Sequence, residues 1–447
     1  MMGAARRILA VSLILCVFLC ALAGCDNAQS TTGTTKPAMD VVDYAGQLKL
    51  DMNSATLKQD ATVKTYVDGD TVHFNVPTSV MPNGVLKARF LAINTPESTG
   101  KIEEYGKAAS NFTKETLKKA TSIILESDTD TWNADSTGGR YLVWVWYKTD
   151  EMSDYRNLNI EILQNGLAIA SNSGGNTYGD TALAAIAQAK AQKLNVHSGK
   201  KDPDFYYGEA VELDLKELRS NIEKYNGLKV AFNGIVTMNA NETAYVEVYD
   251  SETDMYYGMT VYYGYGLNGD GVQILNVGNE VRIVGTVQYY ETGGTWQVSG
   301  LTYRSMKPND PGNIQKLSEG HSPAYVLTDP VRFASGTVDV VVDETVTTLP
   351  YAKLAMSTSI CMENLYVKDV YTTTKEESAS NGAMTLTCEV NGVTISVRTV
   401  VLLDANGNLV TEDAFLGKTI DIRGLVDYFD GTYQIKVFSV NDITVHE

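Results

Sequence analysis

The chain has 447 residues, of which 44% are hydrophobic and 20% charged, so it has the composition of a folded protein and the length for two to four domains. Its net charge is −18, but residues 60–201 hold 15 Lys and Arg against 16 Asp and Glu, whereas residues 202–447 hold 16 against 34. Because acidic surface repels polyanions, the second half is a poor candidate for a non-specific nucleic-acid clamp.

The N-terminus has the pattern of an export signal. Arg6 and Arg7 precede an apolar run at residues 8–21 that is too short to span a bilayer comfortably. Residues 22–25 (LAGC) resemble the bacterial lipobox, which predicts a signal peptide over 1–24 and lipidation of Cys25. The protein is then expected to be anchored in the cell membrane and to face the outside. A cleaved signal peptide without lipidation is the alternative.

The next segments predict a tether and then a first domain over residues 60–201. Residues 25–59 begin with a Ser-, Thr- and Gly-rich stretch, which is typical of a flexible tether. Strands are expected at 63–76 (a hairpin around an Asp-Gly turn), 86–93 and 141–147, and helices at 103–120, 158–164 and 181–194. Strands followed by helices predict a small β-barrel with packed helices.

The second half predicts two further modules that resemble each other. After an acidic connector at 202–218, a segment at 219–306 and another at 325–447 flank a polar linker at 307–324. Residues 277–287 (VGNEVRIVGTV) match residues 416–426 (LGKTIDIRGLV), and GTWQV at 294–298 matches GTYQI at 431–435. Glycines between such strands fit the five-stranded OB-type barrel. The fold class is therefore mainly β with α: an OB-type five-stranded barrel with packed helices, plus two further OB-like β-barrels.

Several kinds of site are disfavoured. None of the four histidines lies at metal-ligand spacing from another His or Cys, which argues against zinc and against Ser-His chemistry. Residues 404–408 (DANGN) fit a hairpin turn better than a calcium loop. Cys361 and Cys388 are consistent with a disulfide and equally with two free thiols.

Oxygen-rich chemistry is concentrated between residues 63 and 140. The side chains in question are Asp68, Asp70, Arg89, Asn94, Glu97 and Arg140. Phosphodiester cleavage uses such groups: oxygens for a hard cation, a carboxylate that activates water, and guanidiniums that face the phosphate. Each one alone is more typical of a turn, a helix start or a solvated surface.

Their order changes that interpretation, because the chain here resembles the staphylococcal nuclease (thermonuclease) family. The resemblance covers about residues 63–198 in six ordered blocks. These are 66–72 (YVDGDTV), 89–97 (RFLAINTPE), 104–109 (EYGKAA), 139–140 (GR), 164–168 (QNGLA) and 187–198 (AQAKAQKLNVHS).

The resemblance implies a calcium site. Asp70 would bind Ca²⁺ directly, with Asp68 beside it adding negative charge, and Asn94 and the backbone carbonyl of Thr95 would complete the protein ligands. The family usually has Asp where this chain has Asn94. A neutral amide oxygen still suits calcium but lowers the negative charge of the site, so weaker binding is expected.

The resemblance also implies the catalytic roles. Glu97 would act as general base, and Arg89 and Arg140 would hold the phosphate and stabilise the charge that develops on it. The family hydrolyses DNA and RNA, preferably single-stranded or denatured, without sequence preference and leaves 3′-phosphates. A catalytically weakened nucleic-acid-binding or cell-surface lipoprotein is the alternative.

Candidate stacking aromatics lie in two parts of the sequence. The family's nucleotide-flanking aromatics are not evident, since Gly138 and Asn172 stand near their positions; Tyr141 or Tyr178 are the candidate substitutes. The second module offers a possible platform for single strands. Its members are Tyr256, Tyr257, Tyr262, Tyr263, Tyr289, Tyr290 and Trp296. Burial of these aromatics in the barrel core is the favoured interpretation.

Overall fold

The computed structural model describes residues 40–446 apart from residues 138, 265–266, 268, 292 and 376–377. The expected signal peptide, the lipidation site Cys25 and the first part of the tether lie outside the described residues. From Asp43 onward the chain forms one compact unit. Within the described residues, no helix combines the length and the apolar character needed to cross a membrane.

The first barrel contains nine strands and four α-helices. They are α1 (Tyr44–Gln47), β1 (Lys58–Asp60), β2 (Thr62–Asp68), β3 (Thr71–Asn75), β4 (Val85–Phe90), β5 (Ile93–Asn94), α2 (Gly106–Lys119), β6 (Ser122–Glu126), β7 (Tyr141–Lys148), β8 (Arg156–Asn157), α3 (Leu158–Gln164), β9 (Ile169–Ala170) and α4 (Gly179–Gln192). A 3-10 turn follows at Asn195–His197. The main sheet has the order β1-β6-β7-β4-β3-β2, and it closes because β1 and β2 are successive halves of one strand.

Alternating and fully apolar segments of the sequence fill this barrel as expected. Trp144 and Trp146 on β7 are fully buried, and α3 buries Leu158, Ile160 and Leu163 against the same core. Strand β4 pairs in parallel with β7, and this pairing joins the hairpin of β3 and β4 to the hairpin of β6 and β7. The predicted β-barrel with packed helices is confirmed.

The expected tether extended to residue 59, whereas residues 43–59 pack on the first barrel. Asp43 caps α1 and forms an ion pair with Arg156 at 2.7 Å. Ala45 is fully buried, and β1 pairs with β6. Most residues at 43–59 are polar, and only a few apolar residues such as Ala45 attach the segment to the barrel. Its sequence therefore resembles that of a linker.

The second and third barrels follow. The second comprises β10 (Val211–Glu212), α5 (Leu215–Ser220), β11 (Lys229–Ala240), β12 (Thr243–Asp250), β13 (Met255–Tyr262), α6 (Asp270–Ile274), β14 (Glu280–Tyr290), β15 (Thr295–Ser299) and β16 (Gln315–Ser318). The third comprises β17 (Val326–Leu327), α7 (Pro330–Ser335), β18 (Thr337–Val342), β19 (Thr345–Pro350), α8 (Tyr351–Leu354), β20 (Ser359–Thr372), β21 (Met384–Val390), β22 (Val393–Thr399), β23 (Thr419–Phe429), β24 (Thr432–Val437) and β25 (Ile443–His446). Short 3-10 turns lie at Ile222–Tyr225, Glu412–Ala414 and Val440–Asp442.

Both barrels have the same strand order. Strands β11-β12-β13-β15-β14 close through β11–β14, and β20-β21-β22-β24-β23 close through β20–β23. The repeated glycines become Gly285 on β14 and Gly424 on β23. A Cβ on either would lie 2.6 or 2.5 Å from a carbonyl oxygen of the neighbouring strand, so only glycine permits this approach. The prediction of two further OB-like barrels is confirmed.

Specific contacts join the three barrels. Between the second and third, the buried Glu247 carboxylate accepts hydrogen bonds from the backbone N–H of Ala324 (2.9 Å) and of Ser359 (2.7 Å). The two barrels also share one hydrophobic core. In the third barrel Cys361 and Cys388 are both free thiols.

Candidate active site

A tight turn between β2 and β3 carries the two aspartates. A Cβ on Gly69 would lie 2.9 Å from side-chain atoms of both Thr95 and Ala109, so the middle residue of the turn must be glycine. The hydroxyl of Thr113 on α2 donates to the carbonyl oxygen of Gly69 at 2.5 Å. The turn is therefore fixed against the segment after β4 and against α2.

Asp70 is fully buried, and every described contact of its carboxylate is a hydrogen-bond donor or a cation. Its Oδ2 accepts from the backbone N–H of Thr95 at 2.9 Å, and its Oδ1 accepts from the hydroxyl of Thr71 at 3.0 Å and from the guanidinium of Arg89. Burial raises the pKa of Asp70, and the charge of Arg89 opposes this rise.

Arg89 brings Asp70 and Asn94 together. Its Nη1 donates to Asp70 Oδ1 and its Nη2 donates to Asn94 Oδ1. The register of β3 and β4 places Arg89 opposite Thr71, next to Asp70, and Asn94 follows on β5. The side-chain oxygens of Asp70 and Asn94, which belong to separate segments, therefore both contact the Arg89 guanidinium.

Asp68 faces the loop that follows β5. Its Oδ1 accepts from the hydroxyl of Ser98 at 2.6 Å and from the backbone N–H of Gly69 at 2.8 Å. Burial raises the pKa of Asp68 to about 7; Ser98 opposes the rise, and the side chain of Glu97, hydrogen-bonded beside it, adds to it. Ser98 could not be singled out in the sequence, because a serine after Pro-Glu matches no motif.

Glu97 has an exposed side chain on a fixed backbone. Its carbonyl oxygen accepts from the N–H of Glu103 at 2.9 Å, and its own N–H donates to Glu103 Oε2 at 3.2 Å. A Cβ on Gly106 would lie 2.1 Å from the carbonyl oxygen of Glu97, so the start of α2 packs directly on this backbone. Solvent and substrate can therefore reach the carboxylate without movement of the loop.

Arg140 is not joined to this cluster. Its Nε donates to Asp135 Oδ2 at 2.7 Å, and the described hydrogen bonds and ion pairs do not connect it to Asp70, Asp68 or Glu97. Of the candidate stacking residues, Tyr178 packs edge-on against Trp144 and Trp146, so it belongs to the core. Gly138 lies outside the described residues.

The oxygen atoms around the turn are suitable ligands for a hard cation. They are the carboxylates of Asp70 and Asp68, the amide oxygen of Asn94 and the carbonyl of Thr95, all oxygens of the kind calcium prefers. Among the described residues, no group of three or more His, Cys, Asp or Glu forms a metal cluster. A cation here would accordingly depend on neutral oxygens for part of its shell. The hydroxyl of Thr95 is buried without a hydrogen-bond partner, which marks the pocket as incompletely satisfied.

A pH test follows from Asp68. The folded, calcium-free protein holds the proton on the Asp68 carboxyl more tightly than the unfolded chain does. The stability that this proton contributes is therefore complete below about pH 4 and is lost as the pH rises through about 7. In chelator, the free energy of unfolding of Asp68→Asn, measured by denaturant titration, is expected to exceed that of wild type by about 2–4 kcal/mol at about pH 8 and to match it near about pH 4. Asp60→Asn, at an exposed carboxylate, is the control; an equal gain at both pH values contradicts the assignment.

Comparison with known proteins agrees with this geometry. The model of the family described as "Staphylococcal nuclease homologue" matches residues 87–198. The thermonuclease of Staphylococcus intermedius is 31% identical over 138 residues, which cover 30% of this chain and 73% of that protein. The matched residues include Arg89, Asn94 and Glu97, and Arg89 is hydrogen-bonded to Asp70 of the turn. The chain therefore belongs to the staphylococcal nuclease family, whose domain forms its first barrel.

Proposed function

We propose that this protein is a calcium-dependent nuclease that hydrolyses phosphodiester bonds of DNA and RNA at the cell surface, where lipidated Cys25 anchors it. Single-stranded or denatured nucleic acid is the preferred substrate, and 3′-phosphates are the expected products. The observation that carries the proposal is the cluster of Asp70, Arg89 and Asn94 beside the exposed carboxylate of Glu97.

The residues divide the work as follows. Glu97 is accessible to water and accepts the proton of the attacking molecule. Arg89 supplies a guanidinium next to the place where the phosphate carries its growing negative charge. Asp70, Asp68, Asn94 and the Thr95 carbonyl would hold Ca²⁺, which would supply positive charge beside the phosphate.

Two observations favour a second candidate, a nucleic-acid-binding lipoprotein with weakened catalysis. Asn94 supplies no negative charge for a cation, and Arg140 is paired with Asp135 away from the cluster. Both features lower the expected activity, but neither removes the general base Glu97 or the phosphate-binding Arg89.

A calcium titration of nuclease activity tests the proposal. The wild-type chain is expected to digest denatured DNA only when calcium is added. Asn94→Asp adds an anionic ligand, so it is expected to lower the half-saturating calcium concentration by roughly tenfold. Asn75→Asp, at an exposed position on β3, adds the same charge outside the cluster and is expected to leave the titration unchanged.

Three results would separate the candidates. Activity that persists in chelator removes the calcium mechanism. No activity in wild type but activity in Asn94→Asp supports the weakened protein. An identical response of Asn94→Asp and Asn75→Asp contradicts the placement of the cation beside Asn94.

A further inference from the structure

A large cleft lies between the first and second barrels. Its volume is about 1130 Å³, slightly above the usual range of small-molecule sites. One wall is built from β2, the loop after Glu97 and α2, and the opposite wall from β14, β15 and the start of β11. A ligand of several linked units fits this shape better than one small molecule.

The cleft lies beside the candidate active site. Ser98 and Val67 line it, and they are the chain neighbours of Glu97 and Asp68. Ser98 also donates its hydroxyl to Asp68 at 2.6 Å. A polymer cut beside Glu97 therefore lies next to residues that line the cleft.

Three contacts hold the two walls together. The Ser299 hydroxyl donates to the carbonyl oxygen of Gly100 at 3.0 Å, and Gln288 Nε2 donates to the carbonyl oxygen of Ser98 at 3.4 Å. An ion pair joins Lys114 on α2 to Glu291 beyond β14. Direct contacts between the two barrels therefore fix the cleft, and the second barrel is attached to the loop that carries Glu97.

Three unpaired lysines line the cleft. Lys101, Lys107 and Lys229 line it, and in the part of the chain that the structure describes none of the three has an ion-pair partner. Four carboxylates also line the cleft, namely Glu103, Asp202, Asp204 and Glu291. Glu291 is paired with Lys114, Asp202 accepts from the backbone N–H of Tyr105 at 2.6 Å, and Glu103 accepts from the backbone N–H of Glu97 at 3.2 Å. In a chain of net charge −18, a cleft lined by four lysines and four carboxylates is less acidic than the chain as a whole, and its three unpaired ammonium groups can meet an anionic ligand.

The second barrel adds aromatic surface to this charge. Tyr289 and Tyr290 line the cleft with 46% of each residue exposed, whereas Tyr257, on the neighbouring part of the same barrel, is fully buried. Tyr289 is supported from one side by Trp296, with ring centroids 5.0 Å apart. The favoured expectation of core burial thus holds for Tyr257 but not for this pair.

We propose that the cleft is a binding subsite for single-stranded nucleic acid, in which Tyr289 and Tyr290 stack on bases and Lys101, Lys107 and Lys229 meet phosphates. Aromatic faces with lysines along a groove are the combination that binds single strands without sequence preference. The inference rests on the proposed function for its substrate class. It assigns to the second barrel the role of holding the strand beside the cleavage site.

The stacking half is tested by binding in chelator, which prevents cleavage. Fluorescence anisotropy of the full chain is measured with oligothymidylate of about twelve nucleotides and with an abasic strand of the same length. Tyr289→Ala with Tyr290→Ala is expected to weaken binding of oligothymidylate by at least about tenfold and to leave the abasic strand unchanged. Tyr366→Ala with Tyr371→Ala, two comparably exposed tyrosines of the third barrel, is the matched control.

The charge half is tested by salt dependence. Lys101→Gln, Lys107→Gln and Lys229→Gln combined are expected to lower the slope of log affinity against log salt by about 2, at about 0.7 per phosphate contact. Lys418→Gln, exposed on the third barrel, should leave the slope unchanged. Wild-type affinity in the tyrosine pair, or an unchanged slope in the lysine variant, overturns the subsite.

Failure of the subsite and failure of the proposed function give different results. Binding in chelator requires neither a cation nor Glu97, so a wild-type protein that binds in the cleft but never cleaves refutes the nuclease mechanism and leaves the subsite standing. Cleavage by wild type with normal binding in both cleft variants refutes the subsite alone. Equal unfolding midpoints of all variants show that exposed positions were changed without loss of the fold.

Discussion

Replacing Glu97 with glutamine is expected to lower the rate of phosphodiester cleavage by roughly two to four orders of magnitude, the usual contribution of a general base. Glutamine keeps the size of the side chain but accepts no proton from water. The backbone of residue 97 stays bound to Glu103 and packed against Gly106, so the loop is expected to keep its position. Initial rates on a defined single strand at saturating calcium measure the effect.

The control for this variant is Glu115→Gln, at an exposed carboxylate on α2. It removes the same charge from the same barrel and is expected to keep wild-type rates. Binding of oligothymidylate in chelator should be unchanged in both variants, because the cleft is not altered. A Glu97→Gln rate within about threefold of wild type would show that another group activates the water.

The elements with strong local patterns were predictable from the sequence. Helix α3 was expected at 158–164 and lies at Leu158–Gln164, because an asparagine cap and a glycine stop define both ends. Helix α4 was expected from 181 and begins at Gly179, since no side chain caps its N-terminus. Where caps are absent, sequence patterns fix the existence of a helix better than its limits.

The candidate site was predictable in part. Motif order placed Asp70, Arg89 and Asn94 in one site, and the structure brings these three side chains into hydrogen-bond contact. The roles assigned to them stay predictions. Ser98 and the Arg140–Asp135 pair were not foreseen, because such contacts depend on loop geometry that spacing does not encode.

The cleft could not have been found from the sequence. Its walls come from residues about 190 positions apart, such as Ser98 and Gln288, and no periodic pattern relates them. Tyr289 is exposed and Tyr257 is buried, although both are tyrosines on strands with similar sequence neighbours. Which aromatic faces the core and which faces another barrel is decided by packing between domains.

Arg89→Gln is expected to separate catalysis from cation binding. Loss of the guanidinium removes stabilisation of the phosphate charge, so the single-turnover rate should fall by roughly two to three orders of magnitude. In calcium-free protein the same change leaves the buried carboxylate of Asp70 without its counter-charge, at a cost of about 3 kcal/mol in the free energy of unfolding.

Calcium is expected to restore that stability, and to bind at least as tightly as in wild type, because the guanidinium no longer competes for the oxygens of Asp70 and Asn94. Isothermal titration and unfolding with and without calcium measure both effects. Arg140→Gln is the matched control: its guanidinium is held by Asp135, so calcium affinity should not change. Calcium affinity that falls tenfold or more in Arg89→Gln would show that this arginine supports the cation site instead of competing with the ion for its oxygens.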